Sequence, residues 1–301
     1  MHSERRIKVE RVEIVGVCDI IRGHAEAVAE VLDHPFITTD RRELTDKVDA
    51  VLIVLPHYPG IRKLKELLDS GEYGRIMQMS VWTEQLTKHE ETEWLCTARL
   101  GGGQLFSHGC HYIDAMLRIL GKPVKGFHVG TRVGTPWLMR EGTSALVLSF
   151  EKGALGYHGA TWGARGTKMG YDWQIMTERG LLELDRYNGE RIRFYDGIAN
   201  HVPGVTETRS SRVIWERDDG TAVTKDTYFE IDHFADCVLN GKKPITDGET
   251  ALKSLQLIWA LYDGEKNNYV PDLSQFDLGE ENHENYRSYI KEMNEKTQKC
   301  K

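Results

Sequence analysis

The chain has 301 residues, 40% hydrophobic and 28% charged, which is enough apolar material for two cores and excludes a disordered or fibrous chain. Its formal charge of -7, with both signs mixed along the length, excludes the basic face on which a nucleic-acid partner depends. Five scattered cysteines, Cys18, Cys96, Cys110, Cys237 and Cys300, contain no Cys-x-x-Cys pair and argue against a disulfide framework.

The first eleven residues are too charged for the apolar region of a signal peptide, and no later run approaches the ~18 apolar residues of a membrane span. A cytoplasmic protein without a membrane partner is expected. Val12 to Val17 is a β-branched run ending in Cys18-Asp19, which predicts a strand. Ala25, Val28, Ala29 and Leu32 then fall at helical spacing. Phe36 to Thr38 reads as a second short strand and Glu43 to Lys47 as a polar helical turn. Ala50 to Leu55 is continuously apolar and ended by Pro56, the pattern of a strand buried on both faces. Strands alternating with helices imply a parallel sheet. Asp19, at a strand end, suits two roles: the cap of the following helix, or the acid that holds a ribose hydroxyl in a dinucleotide fold.

After Gly60, Ile61 to Gly71 predicts a helix. Arg75 to Thr83, Lys125 to Val133, Thr143 to Phe150, Ala154 to Trp162, Tyr171 to Thr177 and Gly180 to Leu184 carry strand-like runs separated by turn residues. That is a mostly antiparallel sheet. Between its first two strands stand Gly101-Gly102-Gly103 and then Leu105, Ile113, Met116, Leu117 and Leu120 near helical spacing, closed by Gly121. This reads as a glycine loop feeding a helix. Ser107 and His111 are four residues apart and His108 and His111 three apart, so one face can present imidazole and hydroxyl groups while the other packs. The other reading of these histidines is packing residues with satisfied hydrogen bonds. His108, Cys110 and His111 also invite a metal, but adjacent helical positions diverge and a closed zinc site needs four converging ligands, so no metal is expected.

Tyr157, His158, Trp162, Arg165 and Lys168 put aromatic and cationic groups on a strand and the loop after it, suited either to stacking on a sugar face or to ordinary sheet packing. Trp215 to Gly220 reads as a solvated turn. Glu230 to Asn240 and Glu249 to Gly264 predict helices, the first with Ile231, Phe234, Ala235 and Val238 on one face. Glu280 to Lys301 predicts a charged terminal helix.

The pattern Gly-Gly-Gly-x-Leu-x-x-x-Gly-x-His-Tyr-x-Asp over Gly101 to Asp114, ahead of an apolar helix, resembles the substrate-site helix of the Gfo/Idh/MocA family, the nicotinamide-dependent sugar and cyclitol oxidoreductases. In that family the helix commonly carries an Asp and, four residues on, a His that helps shuttle the proton of the hydroxyl being oxidised. His111 matches the His, and Ser107 stands where the Asp is expected. Val15 to Asp19 resembles the second strand of the family's Rossmann domain and Val51 to His57 its fourth, which implies Asp19, Pro56 and His57 as cofactor-binding residues. Everything after Gly60 resembles the family's second domain.

Two departures bear on function. No Gly-x-Gly-x-x-Gly turn precedes Val12, although that turn's N–H groups and the following helix N-terminus are what neutralise a diphosphate. No Glu-Lys-Pro motif occurs, and by ordinary element lengths about 50 residues are missing at the Gly60 junction. The resemblance therefore implies a truncated Rossmann-like parallel sheet over residues 1–60. Residues 61–301 then form a domain with an open, mainly antiparallel sheet flanked by helices. It further implies NAD or NADP as cofactor with a defective site, and a sugar, cyclitol or related polyol as substrate. The expected catalytic residues are His111, His108 and Ser107, and the expected substrate residues are Tyr157, Trp162, Arg165 and Lys168. A homo-oligomer formed through the antiparallel sheet is expected. The alternative is a non-redox sugar-binding or scaffolding protein of the same descent.

Overall fold

The computed structural model describes residues 12–19, 21–32, 35–40, 42–45, 58–88, 96, 102–186, 189–197, 210–217, 227–276 and 288–291. In chain order the elements are β1 (Gly16–Cys18), α1 (Arg22–Ala29), β2 (Phe36–Thr38), α2 (Arg42–Thr45), α3 (Pro59–Asp69), β3 (Ile76–Glu84) and a π-helical turn (Leu105–Gly109) running into α4 (Cys110–Leu120). They continue with β4 (Pro123–Thr131), β5 (Thr143–Phe150), β6 (Leu155–Thr161), β7 (Asp172–Thr177), β8 (Gly180–Asp185), β9 (Arg191–Asp196), β10 (Ser210–Glu216), α5 (Thr227–Asn240) and α6 (Gly248–Asn267). Two compact units result, Met1–Tyr58 with Lys225–Pro244, and Pro59–Thr224 with Ile245–Lys301.

In the first unit β1 and β2 pair in parallel, Gly16 opposite Phe36 and Cys18 opposite Thr38, with α1 connecting them. The strand–helix–strand order is the one the sequence predicts, though β1 is only the last part of the apolar run. Val12 to Val15 stay exposed. Ala25 and Ala29, one helical turn apart, are the buried face of α1. The strand expected over Ala50 to Leu55 lies outside the described residues, as do Pro56 and His57.

The second unit is an eight-stranded sheet in the order β10-β9-β8-β7-β3-β6-β5-β4. Only β3 and β6 run in parallel, from Gln78 opposite Leu155 to Glu84 opposite Thr161; every other neighbouring pair is antiparallel. A short parallel sheet followed by an open, mainly antiparallel sheet flanked by helices is the fold class expected. The six predicted strands all form, with ends shifted by up to two residues.

Trp215 corrects one expectation. It belongs to β10, antiparallel to β9 with a register irregularity between Val213 and Trp215, and it packs on the main core. The strand exists because β9 offers it a ladder of hydrogen bonds, which the charged local sequence does not signal. Of the predicted 280–301 helix only residues 288–291 are described, and they are helical.

Alternation decides which sheet face is covered. On β5, Leu146 and Leu148 are fully buried while Val147 between them is 46% exposed. The inward residues of β3, β5, β7 and β8, among them Met79, Val81, Trp173, Ile175, Leu182 and Leu184, meet Ile113, Met116 and Leu117 of α4 and Leu257, Ile258 and Leu261 of α6 in one core. Among the described residues no helix is long and apolar enough to cross a membrane.

Candidate active site

Gly103 begins the site. Its φ is +118°, and a Cβ there would lie 2.8 Å from the Arg140 Cβ and 2.9 Å from a Glu141 carboxylate oxygen, so only glycine fits. Glu141 then fixes the helix start. Its backbone carbonyl accepts from the Gln104 N–H at 2.8 Å and its Oε1 from the Leu105 N–H at 3.0 Å. Gly109 permits a close approach to β6, since a Cβ would come within 3.4 Å of the His158 ring. Of the glycine loop and helix expected over 101–121, the described part, from Gly102, is present, but Leu105–Gly109 winds as a π-helical turn before α4 begins. The extra residue in that turn rotates Ser107 relative to α4, so the spacing of an ideal helix no longer sets which face it shares with His111.

His108 is the hub of an aromatic cluster. Its ring lies 5.2 Å from Tyr112, 6.1 Å from His111, 6.0 Å from Tyr171 and 6.3 Å from Trp162. The Tyr112 hydroxyl is 3.5 Å from His108 Nε2. On its other side Tyr112 stacks on His158 at 5.3 Å and 21°. His158 Nε2 meets the Thr83 hydroxyl at 3.0 Å, across the parallel pairing of β3 and β6. His158 is fully buried, and that burial, helped by the charges of His108 and His128, pushes its pKa down to about 3. It is therefore neutral at physiological pH. Tyr171 donates its hydroxyl to the Gln85 side-chain carbonyl.

Of the four residues expected to face substrate, only Trp162 joins this cluster, 4% exposed and packed with Cys96 and Leu138. Tyr157 points to the opposite sheet face, where it meets Trp82 edge-on at 5.1 Å, because it neighbours the inward His158 on one strand. Arg165 is exposed and donates to the Gly163 carbonyl at 3.0 Å, and Lys168 is exposed. Tyr112, Tyr171 and Thr83 enter the cluster without having been singled out in the sequence. The signals available were Tyr112 four residues after His108, and Thr83 and His158 at inward positions of predicted strands.

Burial pushes the Cys110 thiol up to about 11, so the group beside His111 stays protonated. Among the described residues no group of three or more His, Cys, Asp or Glu is placed to hold a metal ion. In the first unit, Asp19 ends the strand as expected, and its Oδ1 accepts from the Ile21 N–H at 2.8 Å and lies 3.7 Å from His24 Nδ1. That bond closes a tight local turn ahead of α1, whose N-cap residue Ile21 carries no side-chain cap bond, so Asp19 is not the helix cap. Asp19 is the only described member of the expected cofactor set. The sequence contains no Gly-x-Gly-x-x-Gly turn of the kind that cradles a diphosphate.

Residues 61–183 match the model of the GFO/IDH/MocA C-terminal domain. No curated protein matches the chain in sequence. Several solved structures share the fold. An oxidoreductase from Thermotoga maritima aligns at 19% identity and TM-score 0.65 over 88% of this chain and 91% of its own. Myo-inositol 2-dehydrogenase from Lactobacillus plantarum aligns at 14% identity and TM-score 0.63, covering 89% and 94%. The WlbA dehydrogenase from Bordetella pertussis, solved with NADH and UDP-GlcNAcA, aligns at 14% identity and TM-score 0.63, covering 88% and 91%. At these identities the likeness is one of fold.

Proposed function

We propose that the face carrying His108 and His111 binds a sugar, cyclitol or related polyol, in a chain built on the plan of an NAD(P)-dependent oxidoreductase acting on CH–OH groups; the match of residues 61–183 to the GFO/IDH/MocA C-terminal domain supports the reading. The convergence of His108, Tyr112, His111, Trp162 and Tyr171 at the π-helical turn carries the reading. Rings offer flat apolar surface to the C–H face of a polyol, and imidazole nitrogens offer partners for its hydroxyls. His111, half-buried, accepts the proton of a bound hydroxyl, and His108 stands next in line. Ser107 occupies the sequence position of the expected carboxylate. His158, held neutral, positions Tyr112 by stacking and takes no proton. Myo-inositol dehydrogenase and WlbA, by their names and bound molecules, support the polyol class and the nicotinamide cofactor.

The cofactor half is defective on this reading, and no hydride step is derived for this chain. The engagement of Asp19 by the start of α1 favours a second reading, a non-redox sugar-binding or scaffolding protein. Both readings take a cytoplasmic homo-oligomer, supported by the apolar side chains exposed on one sheet face among the described residues of the second unit.

Titration of the full chain with NADH and NADPH, followed by tryptophan fluorescence, separates the two. Neither nucleotide is expected to bind below the millimolar range, because one or two hydrogen bonds of ~1 kcal/mol cannot offset the cost of immobilising a dinucleotide. Micromolar binding would restore a working cofactor site. Titration with myo-inositol and glucose tests the substrate face. His111→Ala is expected to weaken polyol binding with the thermal midpoint nearly unchanged. A packing histidine would instead lose about 1–3 kcal/mol of stability with no ligand effect.

A further inference from the structure

A second cleft, of about 650 Å³, opens in the same unit between the end of β4, the segment Met139–Glu141 and the C-terminal half of α6. That volume is in the range of small-molecule sites. Three carboxylates and three cations line it, but the two sets differ in how far they are already engaged. Glu141 accepts from the Leu105 N–H at 3.0 Å and the Tyr262 hydroxyl at 2.7 Å. Burial and the Glu141 charge push the Tyr262 pKa far up, so that hydroxyl stays a donor. Glu265 is held by His128 Nδ1 at 2.7 Å and the Gly130 N–H at 2.8 Å, and Asp263 by Asn267 at 2.8 Å and the Tyr269 hydroxyl at 2.5 Å.

The cations are not so engaged. The Arg140 guanidinium lies 5.0 Å from the centroids of both Trp259 and Tyr262, and among the described residues it has no ion-pair partner. Its Nε is buried with no hydrogen-bond partner among the described residues. Arg132 is exposed and, among the described residues, donates only to the Pro136 carbonyl, at 3.1 Å.

We propose that this cleft binds a small molecule bearing an oxyanion, a carboxylate or a phosphate, on the guanidinium edge of Arg140 with Arg132 as the second cation. The two rings hold the Arg140 plane, so little side-chain freedom is lost when an anion takes its fork. A two-point contact to Nε and an Nη also satisfies a donor that is costly to leave buried and unpaired. Trp259, 44% exposed and backed by Phe106 at 5.4 Å, offers its ring to the carbon skeleton of the ligand. Lys266 sits in the last turn of α6, where the helix end disfavours negative charge, so the anion belongs on the arginine side. The inference stands independently of the polyol reading.

The test titrates the full chain with inorganic phosphate and with malonate at constant ionic strength, reading tryptophan fluorescence. A saturable change is expected with at least one of the two, and the tighter anion tells a phosphate ligand from a carboxylate. The change should vanish in Trp259→Phe, which assigns the signal to this cleft. Affinity should fall at least tenfold in Arg140→Met. It should fall at least threefold in Arg140→Lys, which keeps the charge and packing but not the fork, both variants being checked for fold by circular dichroism. No saturation with either anion, or unchanged affinity in Arg140→Lys, overturns the proposal.

Discussion

Asp172 and His158 tie stability to pH in opposite directions. Asp172, on β7 and 6% exposed, has one carboxylate oxygen buried with no partner and the other accepting from Gln174 at 3.0 Å. Burial pushes its pKa up to about 6; the Gln174 bond opposes the shift, and the charges of Glu183 and Asp185 add to it. A carboxyl whose folded pKa lies above its unfolded value costs nothing while both states are protonated. It costs progressively more as pH rises from the ordinary aspartate range towards 6, where the folded chain holds a buried charge. Asp172→Asn is therefore expected to raise stability at pH 7 by about 1–2 kcal/mol, with the gain vanishing towards pH 4. Melting curves across that range check it, and a lower midpoint for the variant at pH 7 would mean the carboxylate is well satisfied. His158 acts on the acid side. Its folded pKa of about 3 is below the unfolded value, so the unfolded chain alone takes up a proton and stability falls as pH drops from the usual histidine range. His158→Gln should flatten that acid limb while lowering the midpoint at pH 7 through the lost stacking on Tyr112.

Elements were legible in the sequence where one face is buried. β3 through β8 alternate because a single side meets α3, α4 and α6, and the apolar period of those helices follows from the same core. β9 hides its pattern: Ile192 and Phe194 are buried but flanked by Arg191 and Arg193, and β10 exists through its pairing with β9. The π-helical turn is a matter of hydrogen-bond register and has no compositional mark, so the Ser107–His111 face could not be placed from spacing alone. Within the site, the histidines and Trp162 stood out by residue type. Thr83 and Tyr171 did not, because only the adjacency of β3 to β6 and β7 brings residues so distant in sequence together. As the cap of α6, Asp247 was not singled out in the sequence and emerges from the structure. Its Oδ1 accepts from the Thr250 N–H at 2.8 Å and from the Thr250 hydroxyl at 2.7 Å. Asp247→Ala is expected to cost about 1 kcal/mol and Asp247→Asn much less, read by urea denaturation. Equal losses would mean the carboxylate charge, rather than the cap bond, matters at that helix end.

For the molecule as a whole, the decisive feature is that among the described residues of the second unit α3, α4 and α6 cover one sheet face, while the other carries exposed apolar side chains. Phe127 and Val129 on β4, Val147 on β5, Leu155 on β6 and Met176 on β7 are 38%, 52%, 46%, 47% and 44% exposed. They lie on four neighbouring or nearly neighbouring strands and are joined on that face by the Trp82–Tyr157 pair. A contiguous patch of this kind is costly to leave in water, and two such sheets packed face to face can bury the roughly 1,200–2,000 Å² of a stable interface. The proposed homo-oligomer would meet that cost through a second copy related by a two-fold axis, with the same strands on both sides. Val147→Glu puts a charge at the centre of the patch without touching the core, since Leu146 and Leu148 point the other way. It is expected to shift the mass measured by light scattering from an oligomer to a monomer at micromolar concentration. Val133→Glu, at a residue 82% exposed beyond the end of β4, should leave the mass unchanged. A wild-type chain that runs as a monomer, or a Val147→Glu variant with the same mass as the wild type, would leave the open face to be covered by something other than a second copy.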